Sequence, residues 1–314
     1  MVEHLRRALA LAERGRGTTH PNPVVGAVVA RDDEVVGEGW HERAGGPHAE
    51  VVALEAAGER ARGATLYVTM EPCAHHGRTP PCVDAVLQAG VARVVSGSLD
   101  PGPVSGGGLE RLREAGVDVE HVDSFDARAQ NEAWRTWIVL QRPFVIYKVG
   151  ATVDGRVTVP GSRWVTGEES RHRVHELRAA VDAVAVGMGT VRVDDPRLDA
   201  RGVDVVHQPR RLAFGRGPLP RGSELELRTG SLREELEALA GEGVQSLLLE
   251  GGPTIATSFV AEGLVDKLMI FVAPQLSGAG PPLLGSLPSP LRLTRVSVEQ
   301  VGADLLVTAY VQEP

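Results

Sequence analysis

Apolar positions along the chain follow two periods, and their order predicts two α/β regions in succession. Residues 3–14 place Leu and Ala at helical spacing between charges. The stretches 24–32 and 34–40 read as a hairpin around a polar turn, and 47–59 as a helix with Pro47 in its first turn. An apolar strand over 64–70 follows, then a helix over 82–90 stopped by Gly90, a strand over 92–100 and a glycine-closed helix over 108–116. A new strand opens near Arg142-Pro143 and covers 142–150. A helix over 167–180 comes next, with strands over 183–187 and 246–250 and a helix over 254–263. Strands over 267–274 and 304–312 finish the pattern. Strand–helix alternation of this kind predicts sheets with parallel pairs. The segment 202–232, rich in Gly, Pro and Arg, supports no assignment.

Length and composition fit this picture. A chain of 314 residues exceeds the usual single domain, and two domains are expected, meeting around 141–143. Hydrophobic residues are 42% of the chain and aromatics only 4%, so Ala, Val and Leu must fill the cores. No apolar run approaches the roughly 20 residues of a membrane span. The N-terminus reads as an amphipathic helix and lacks the uninterrupted apolar core of a signal peptide, so the cytoplasm is the expected compartment. A net charge of −8 argues against a broad nucleic-acid surface and leaves room for a small basic phosphate pocket. Lysine occurs only at 148 and 267.

Both cysteines of the chain fall in one stretch, EPCAHHGRTPPC (71–82). Two cysteines make no disulfide framework. Upstream, His48-Ala49-Glu50 opens a helix, and His48, Cys73 and Cys82 together form a ligand set suited to Zn2+ with a fourth position open to water. Helix 82–90 adds the positive end of its dipole at Cys82. Glu50, two residues beyond a ligand, fits the proton-carrying glutamate of the zinc nucleobase deaminases, whose signature is H-x-E followed by P-C-x-x-C. The gap between the cysteines is eight residues rather than two, and the insert carries Arg78, which suits an anionic group such as phosphate. A structural zinc site, ligation by His75 or His76 in place of His48, and an ordinary surface role for Arg78 are the alternatives on the residues alone.

With THPNPVVGAVV (19–29), GGPHAEVVAL (45–54), YVTMEPCAHHGRTPPC (67–82), RPFVIYKVGATVDGRV (142–157), LRAAVDAVAVGMGTVRVDDPRL (177–198) and LLLEGGPTIATSFVAEGLVDKL (247–268), the chain resembles the bifunctional riboflavin biosynthesis deaminase-reductases of bacteria over nearly its whole length. The resemblance implies a cytidine-deaminase-like three-layer domain over 1–142 and a dihydrofolate-reductase-like α/β domain over 143–314. It implies hydrolysis of an amine from a diaminopyrimidinone ribosylamine 5′-phosphate, then reduction of the ribosyl side chain to ribityl by NADPH. It further implies zinc on His48, Cys73 and Cys82, proton transfer by Glu50, and substrate contacts from Asn22 and Arg78. In the second domain it implies substrate contacts from Ser162, Arg178, Leu198, Arg201 and Glu250. Gly150, Trp164, Thr190, Asp194, Gly252, Pro253 and Thr254 are the implied NADPH contacts. Glu250-Gly251-Gly252-Pro253 and Gly187-Met188-Gly189-Thr190 each follow a strand, a weak phosphate signal alone. Trp164 as a core aromatic and Lys148 as a solvent-facing strand residue are the competing readings. A homo-oligomer built through the second domain is also implied.

The chain departs from the family pattern in three places. Gly102 stands where the family has asparagine, the glycine run after it is one residue short, and the segment between Arg201 and Leu247 is several tens of residues shorter. The last departure predicts weaker NADPH binding or merely trimmed surface loops. A deaminase with a degenerate or redirected reductase domain, a noncatalytic zinc-bearing assembly protein and a nucleic-acid deaminase are the rival functions. Glu50 disfavours the second of these, and Asp194, Arg201 and Glu250 disfavour the first. Acidic charge and the basic loop disfavour the third.

Overall fold

In the computed structural model, which describes every residue except Met1, Asp33 and residues 77–79, the chain divides after Leu140. One unit holds Met1–Leu140 with Pro314, the other Gln141–Glu313. The first runs α1 (Val2–Ala12), β1 (Gly26–Arg31), β2 (Glu34–Trp40), α2 (Ala49–Ala57), β3 (Thr65–Val68), α3 (Cys82–Ala89), β4 (Arg93–Ser96), α4 (Gly108–Glu114), β5 (Asp118–His121), α5 (Phe125–Gln130) and α6 (Glu132–Leu140). Its five-stranded sheet has the order β2-β1-β3-β4-β5. Strand β1 is antiparallel to both neighbours, while β3, β4 and β5 are parallel. Strand β1 is apolar and buried from Gly26 to Ala30 because helices cover both its faces. Ala27 and Val29 join the core under α2, α3 and α4, whereas Val28 packs with Ala8 and Leu11 of α1.

Two glycines of β2 set how closely α2 approaches the sheet. A Cβ on Gly37 would lie 2.3 Å from the Ala53 carbonyl oxygen, and one on Gly39 would lie 2.6 Å from the Ala53 nitrogen. Only glycine admits the helix at that depth, and that depth fixes the start of α2. The start differs from expectation: Pro47 precedes the helix, and His48 is the extended N-cap residue with φ −76° and ψ 159°. The expected strand over 92–100 ends at Ser96. Beyond it Ser96 Oγ donates to the Ser98 carbonyl and Ser98 Oγ to the Thr69 carbonyl, at 2.8 and 3.2 Å, which turns the chain out of the ladder.

The second unit runs β6 (Phe144–Thr152), α7 (Glu168–Ala179), β7 (Ala183–Gly187), α8 (Met188–Asp194), β8 (Arg210–Phe214), β9 (Glu226–Arg228), α9 (Leu232–Gly241), β10 (Ser246–Leu249), α10 (Pro253–Ala261), β11 (Lys267–Ala273), β12 (Thr294–Val301) and β13 (Asp304–Tyr310). The sheet order is β12-β13-β11-β6-β10-β7-β8-β9. The strands from β11 to β9 are parallel, and β13 and β12 add an antiparallel edge. Tyr147, Leu247, Leu249, Leu212 and Phe259 lie in its main core cluster. A buried pair pins the start of β6: Arg142 donates twice to Asp266, at 2.7 Å each, and Asp266 also accepts the Val145 N–H at 2.8 Å. The shortened segment forms β8, β9 and a helix whose capping box joins Ser231 and Glu234. Among the described residues, no helix is long and apolar enough to cross a membrane.

Candidate active sites

The end of β3, the N-terminus of α2 and the N-terminus of α3 converge in the first unit. His48 caps α2, Cys73 lies in the loop beyond β3, and Cys82 is the first residue of α3. His48 Nδ1 lies 3.1 Å from Cys82 Sγ and 3.6 Å from Cys73 Sγ. All three ligand atoms fall within 4.8 Å of one another. A tetrahedral zinc with its usual Zn–N and Zn–S lengths of about 2.0 and 2.3 Å separates such atoms by about 3.5 Å, so the triad has zinc dimensions. Protonation supports the same fit. The hydrogen bond from Cys82, together with His48, lowers the Cys73 thiol to about 4 against the cost of its burial. Its hydrogen-bond partner Cys73, and burial, push Cys82 up. The two thiols thus compete for one proton, and a divalent cation between them would take both as thiolates. His75 lies outside this cluster, so His48 is the histidine brought to the sulfurs.

Glu50 sits beside the triad in the first turn of α2 and is 3% exposed. Burial pushes its carboxyl up to about 7, against the pull of His48. It lines a cavity of about 470 Å3 together with Asn22, His41, His75, Asp100, Ser105 and Trp134. Asn22 is thus in the site, 3.1 Å from His41 Nε2 through its Nδ2. His41 Nδ1 is 2.9 Å from the Pro47 carbonyl, and burial holds this imidazole below its ordinary value. The neutral ring therefore donates to Pro47 and accepts from the Asn22 amide. Glu71, directly before Pro72-Cys73, accepts the Asp100 and Leu109 N–H groups at 3.1 and 2.9 Å and braces the wall. At the departure site, a Cβ on Gly102 would meet Ser105 Oγ at 2.3 Å, so the serine occupies the space of a side chain there. Arg78 lies outside the described residues. Sequence reading missed His41, Glu71 and Ser105; the signal for Glu71 was its place in EPC.

In the second unit the chemistry gathers just past the carboxyl end of β10, beside Lys148 in the middle of β6; open parallel sheets bind ligands at such strand ends. Glu250 follows β10. Its carboxylate accepts from Arg178 Nε at 2.6 Å and Nη2 at 3.1 Å, and lies 2.8 Å from Lys148 Nζ. Burial pushes this carboxyl up, but Lys148 and Arg178 outweigh it and hold it at about 2. Lys148 thus faces an acid rather than solvent, its side chain 15% exposed. Arg178 Nη1 reaches the Asp199 carbonyl at 3.0 Å, and Arg201 donates to the Asp199 carboxylate at 2.6 Å, which joins Arg201 to the cluster. Leu198, buried with φ 56°, directs this turn. Ser162 Oγ donates to the Trp164 carbonyl at 2.7 Å. Trp164 is 52% exposed, between the Arg163 and Arg171 guanidiniums, and is no core aromatic. Gly252 caps α10, Pro253 and Thr254 open it, and a Cβ on Gly252 would lie 3.6 Å from Thr190 Oγ1. Gly150 lies on β6 against Thr166, and Asp194 is exposed at the end of α8.

Comparison with known proteins matches residues 2–98 to the cytidine and deoxycytidylate deaminase zinc-binding region and residues 143–307 to the RibD C-terminal domain. A curated riboflavin biosynthesis protein RibD from Aquifex aeolicus is 41% identical over 97% of this chain and 96% of its own length. The chain belongs to the RibD family. The RibD of Escherichia coli K12 is 40% identical, covering 91% of this chain and 90% of its own. The solved structure of Acinetobacter baumannii RibD matches with a TM-score of 0.84 at 34% identity over 98% of both chains. So does a Thermotoga maritima structure described as a diaminohydroxyphosphoribosylaminopyrimidine deaminase/5-amino-6-(5-phosphoribosylamino)uracil reductase, with a TM-score of 0.84 at 33% identity over 98% of this chain and 97% of that one. As a RibD protein, the chain is a bifunctional hydrolase and oxidoreductase of riboflavin biosynthesis, acting on a small phosphorylated pyrimidine. Its α/β deaminase domain uses zinc and its dihydrofolate-reductase-like domain uses NADPH.

Proposed function

We propose that residues 1–142 hydrolyse the exocyclic amine of 2,5-diamino-6-ribosylamino-4(3H)-pyrimidinone 5′-phosphate and that residues 143–314 reduce the deaminated product from ribosyl to ribityl. The observation that carries this reading is the buried carboxyl of Glu50 beside the His48–Cys73–Cys82 triad, in a cavity of about 470 Å3. His48 Nδ1, Cys73 Sγ and Cys82 Sγ hold the zinc. When bound, zinc lowers the pKa of water to about 7 and so makes a nucleophile available at neutral pH. Glu50 takes one proton of the attacking water and gives it to the pyrimidine ring nitrogen, then carries the remaining hydroxyl proton to the departing amine, which leaves as ammonia as the ring carbonyl forms. Asn22, oriented by His41, holds the pyrimidine, and Arg78 takes the 5′-phosphate.

In the second unit Ser162, Arg178, Leu198, Arg201 and Glu250 hold the substrate, and Gly150, Trp164, Thr190, Asp194, Gly252, Pro253 and Thr254 hold the dinucleotide. When bound, NADPH supplies a hydride, and the protein's part is to align it with C1′ of the sugar. Lys148 Nζ, 2.8 Å from the Glu250 carboxylate, is the group placed to give the proton that the opened ribose oxygen requires. The enzyme works in the cytoplasm as a homo-oligomer joined through its second unit, without nucleic-acid or membrane partners. The test is to supply the diaminopyrimidine substrate and NADPH and to follow ammonia and absorbance at the NADPH band. Ammonia release followed by one equivalent of NADPH oxidation is expected; ammonia without oxidation would leave only the deaminase half standing.

A further inference from the structure

We propose that Asp154 is a positioning residue of the second unit: its carboxylate clamps the loop 153–166, which carries Ser162 and Trp164, to the strap 275–281 that follows β11. The assignment rests on the reductase activity proposed above, in which Ser162 holds the substrate and Trp164 the dinucleotide.

Strands β6 and β11 are parallel neighbours, and their register ends on the pair Thr152 and Ala273. The loop and the strap therefore leave the sheet side by side. The Val153 N–H donates to the Gln275 carbonyl at 3.0 Å. The Asp154 carboxylate then takes both backbone donors at the tip of the strap. Its Oδ1 accepts the Ser277 N–H at 2.9 Å, and its Oδ2 accepts the Gly278 N–H at 2.8 Å. From the buried end of β6, Thr152 Oγ1 donates to the same Oδ1 at 2.6 Å. The Thr152 hydroxyl, with the Ser277 and Gly278 donors, holds this carboxyl at about 2, so it clamps as an anion.

The strap also grips the loop further along. Ser277 Oγ donates to the Thr158 carbonyl at 2.9 Å, the Val157 N–H to the Pro281 carbonyl at 3.1 Å, and Gln275 Nε2 to the Val165 carbonyl at 2.8 Å. Val165 adjoins Trp164, and Ser162 closes a turn on Val159 through its N–H at 3.1 Å. Gly280 permits the close approach: its φ is 91°, and a Cβ there would lie 2.2 Å from Thr158 Oγ1. Apolar burial does little where Asp154 sits, because its neighbour Val153 is 62% exposed and Leu276 of the strap 76%. Hydrogen bonds hold the two segments there, and those to an ionised acceptor are about twice as strong as neutral ones. The Lys148–Glu250–Arg178 cluster is held by its own ion pairs. Loss of the clamp therefore loosens the groups that bind the two ligands and leaves the cluster in place, an effect on KM rather than on kcat.

The test uses the intact zinc-loaded chain with Asp154→Asn, Asp154→Glu and Ser277→Ala, and measures steady-state reduction of the deaminated substrate by NADPH. A second readout is fluorine NMR of chains labelled with fluorotryptophan. Of the four tryptophans, Trp164 is the one in the second unit, and Trp164→Phe identifies its resonance. Asp154→Asn is expected to raise KM for substrate and for NADPH about tenfold, with kcat within about twofold, and to shift the Trp164 resonance alone. Asp154→Glu keeps the charge and should recover part of the loss. Ser277→Ala, which removes the hydroxyl bond to Thr158, should shift the same resonance and raise both KM values by a smaller factor; it carries the test if unfolding midpoints show Asp154→Asn to be misfolded. Unchanged KM values, a fall in kcat alone, or an unmoved Trp164 resonance overturns the proposal and leaves the reductase activity standing. If the unaltered chain oxidises no NADPH, both fail.

Discussion

Glu50 and Glu250 are the same residue type in two units of one chain, both with buried carboxyls, and their surroundings drive them in opposite directions. Among the described residues Glu50 has no lysine or arginine partner, and burial pushes its carboxyl up to about 7. Glu250 sits between Lys148 and Arg178 and stays ionised down to about 2. One environment makes a carboxyl that gives and takes protons near neutral pH; the other makes a fixed anion that holds two cations in place. The deaminase half needs the first, because its reaction moves protons. The reductase half takes its reducing power from the cofactor and needs rigid alignment.

The largest expected effect is on the deaminase side. Cys82→Ser should abolish both zinc binding, read by metal analysis, and ammonia release, while reduction of the deaminated substrate continues at its normal rate. Next, Glu250→Gln should eliminate reduction and destabilise the second unit by about 3–5 kcal/mol, since Lys148 and Arg178 lose the charge they share. Denaturant unfolding read from that unit measures the loss. The pH response follows from the same pair. A folded pKa of about 2 lies below the ordinary 4.5, so the ion cluster contributes its full stability above pH 4.5 and loses it as pH falls toward 2. The loss is about 3 kcal/mol, visible as an acid transition in the second unit that Glu250→Gln removes. The smallest expected effect is from Ser231→Ala, which opens the capping box of α9 and costs about 1 kcal/mol with both reactions unchanged.

The two halves also differ in how much the sequence discloses. The deaminase site is written within one helix start and one loop, so H-x-E and the Cys-x8-Cys segment announce it. What periodicity did not announce was its walls. His41 and Glu71 act through hydrogen bonds to Asn22 and to backbone groups, and such partners leave no spacing to read. The reductase cluster joins β6, α7 and the turn after β10. Its members are about 30 and 70 residues apart, and only strand pairing brings Lys148 to Glu250. Elements escaped for local reasons as well. Strand β5 is four residues with one apolar position, α5 is six residues, and β12 lies on the sheet edge with most of its length exposed, so none displays a clear apolar period. Helix α9 carried a signal that the sequence reading passed over: Ser231-Leu232-Arg233-Glu234 is a capping box ahead of an amphipathic run. The shortened segment left two outcomes open, weaker NADPH binding or trimmed surface loops, and it forms β8, β9 and a capped helix.

The central claim is that Glu50 carries protons while His48, Cys73 and Cys82 alone hold the metal. Its most direct test is the rate of ammonia release by zinc-loaded Glu50→Gln, with zinc content measured on the same sample. The account predicts one zinc per chain and a rate lowered by about 100-fold or more. A zinc-replete Glu50→Gln chain that deaminates at the unaltered rate would contradict it.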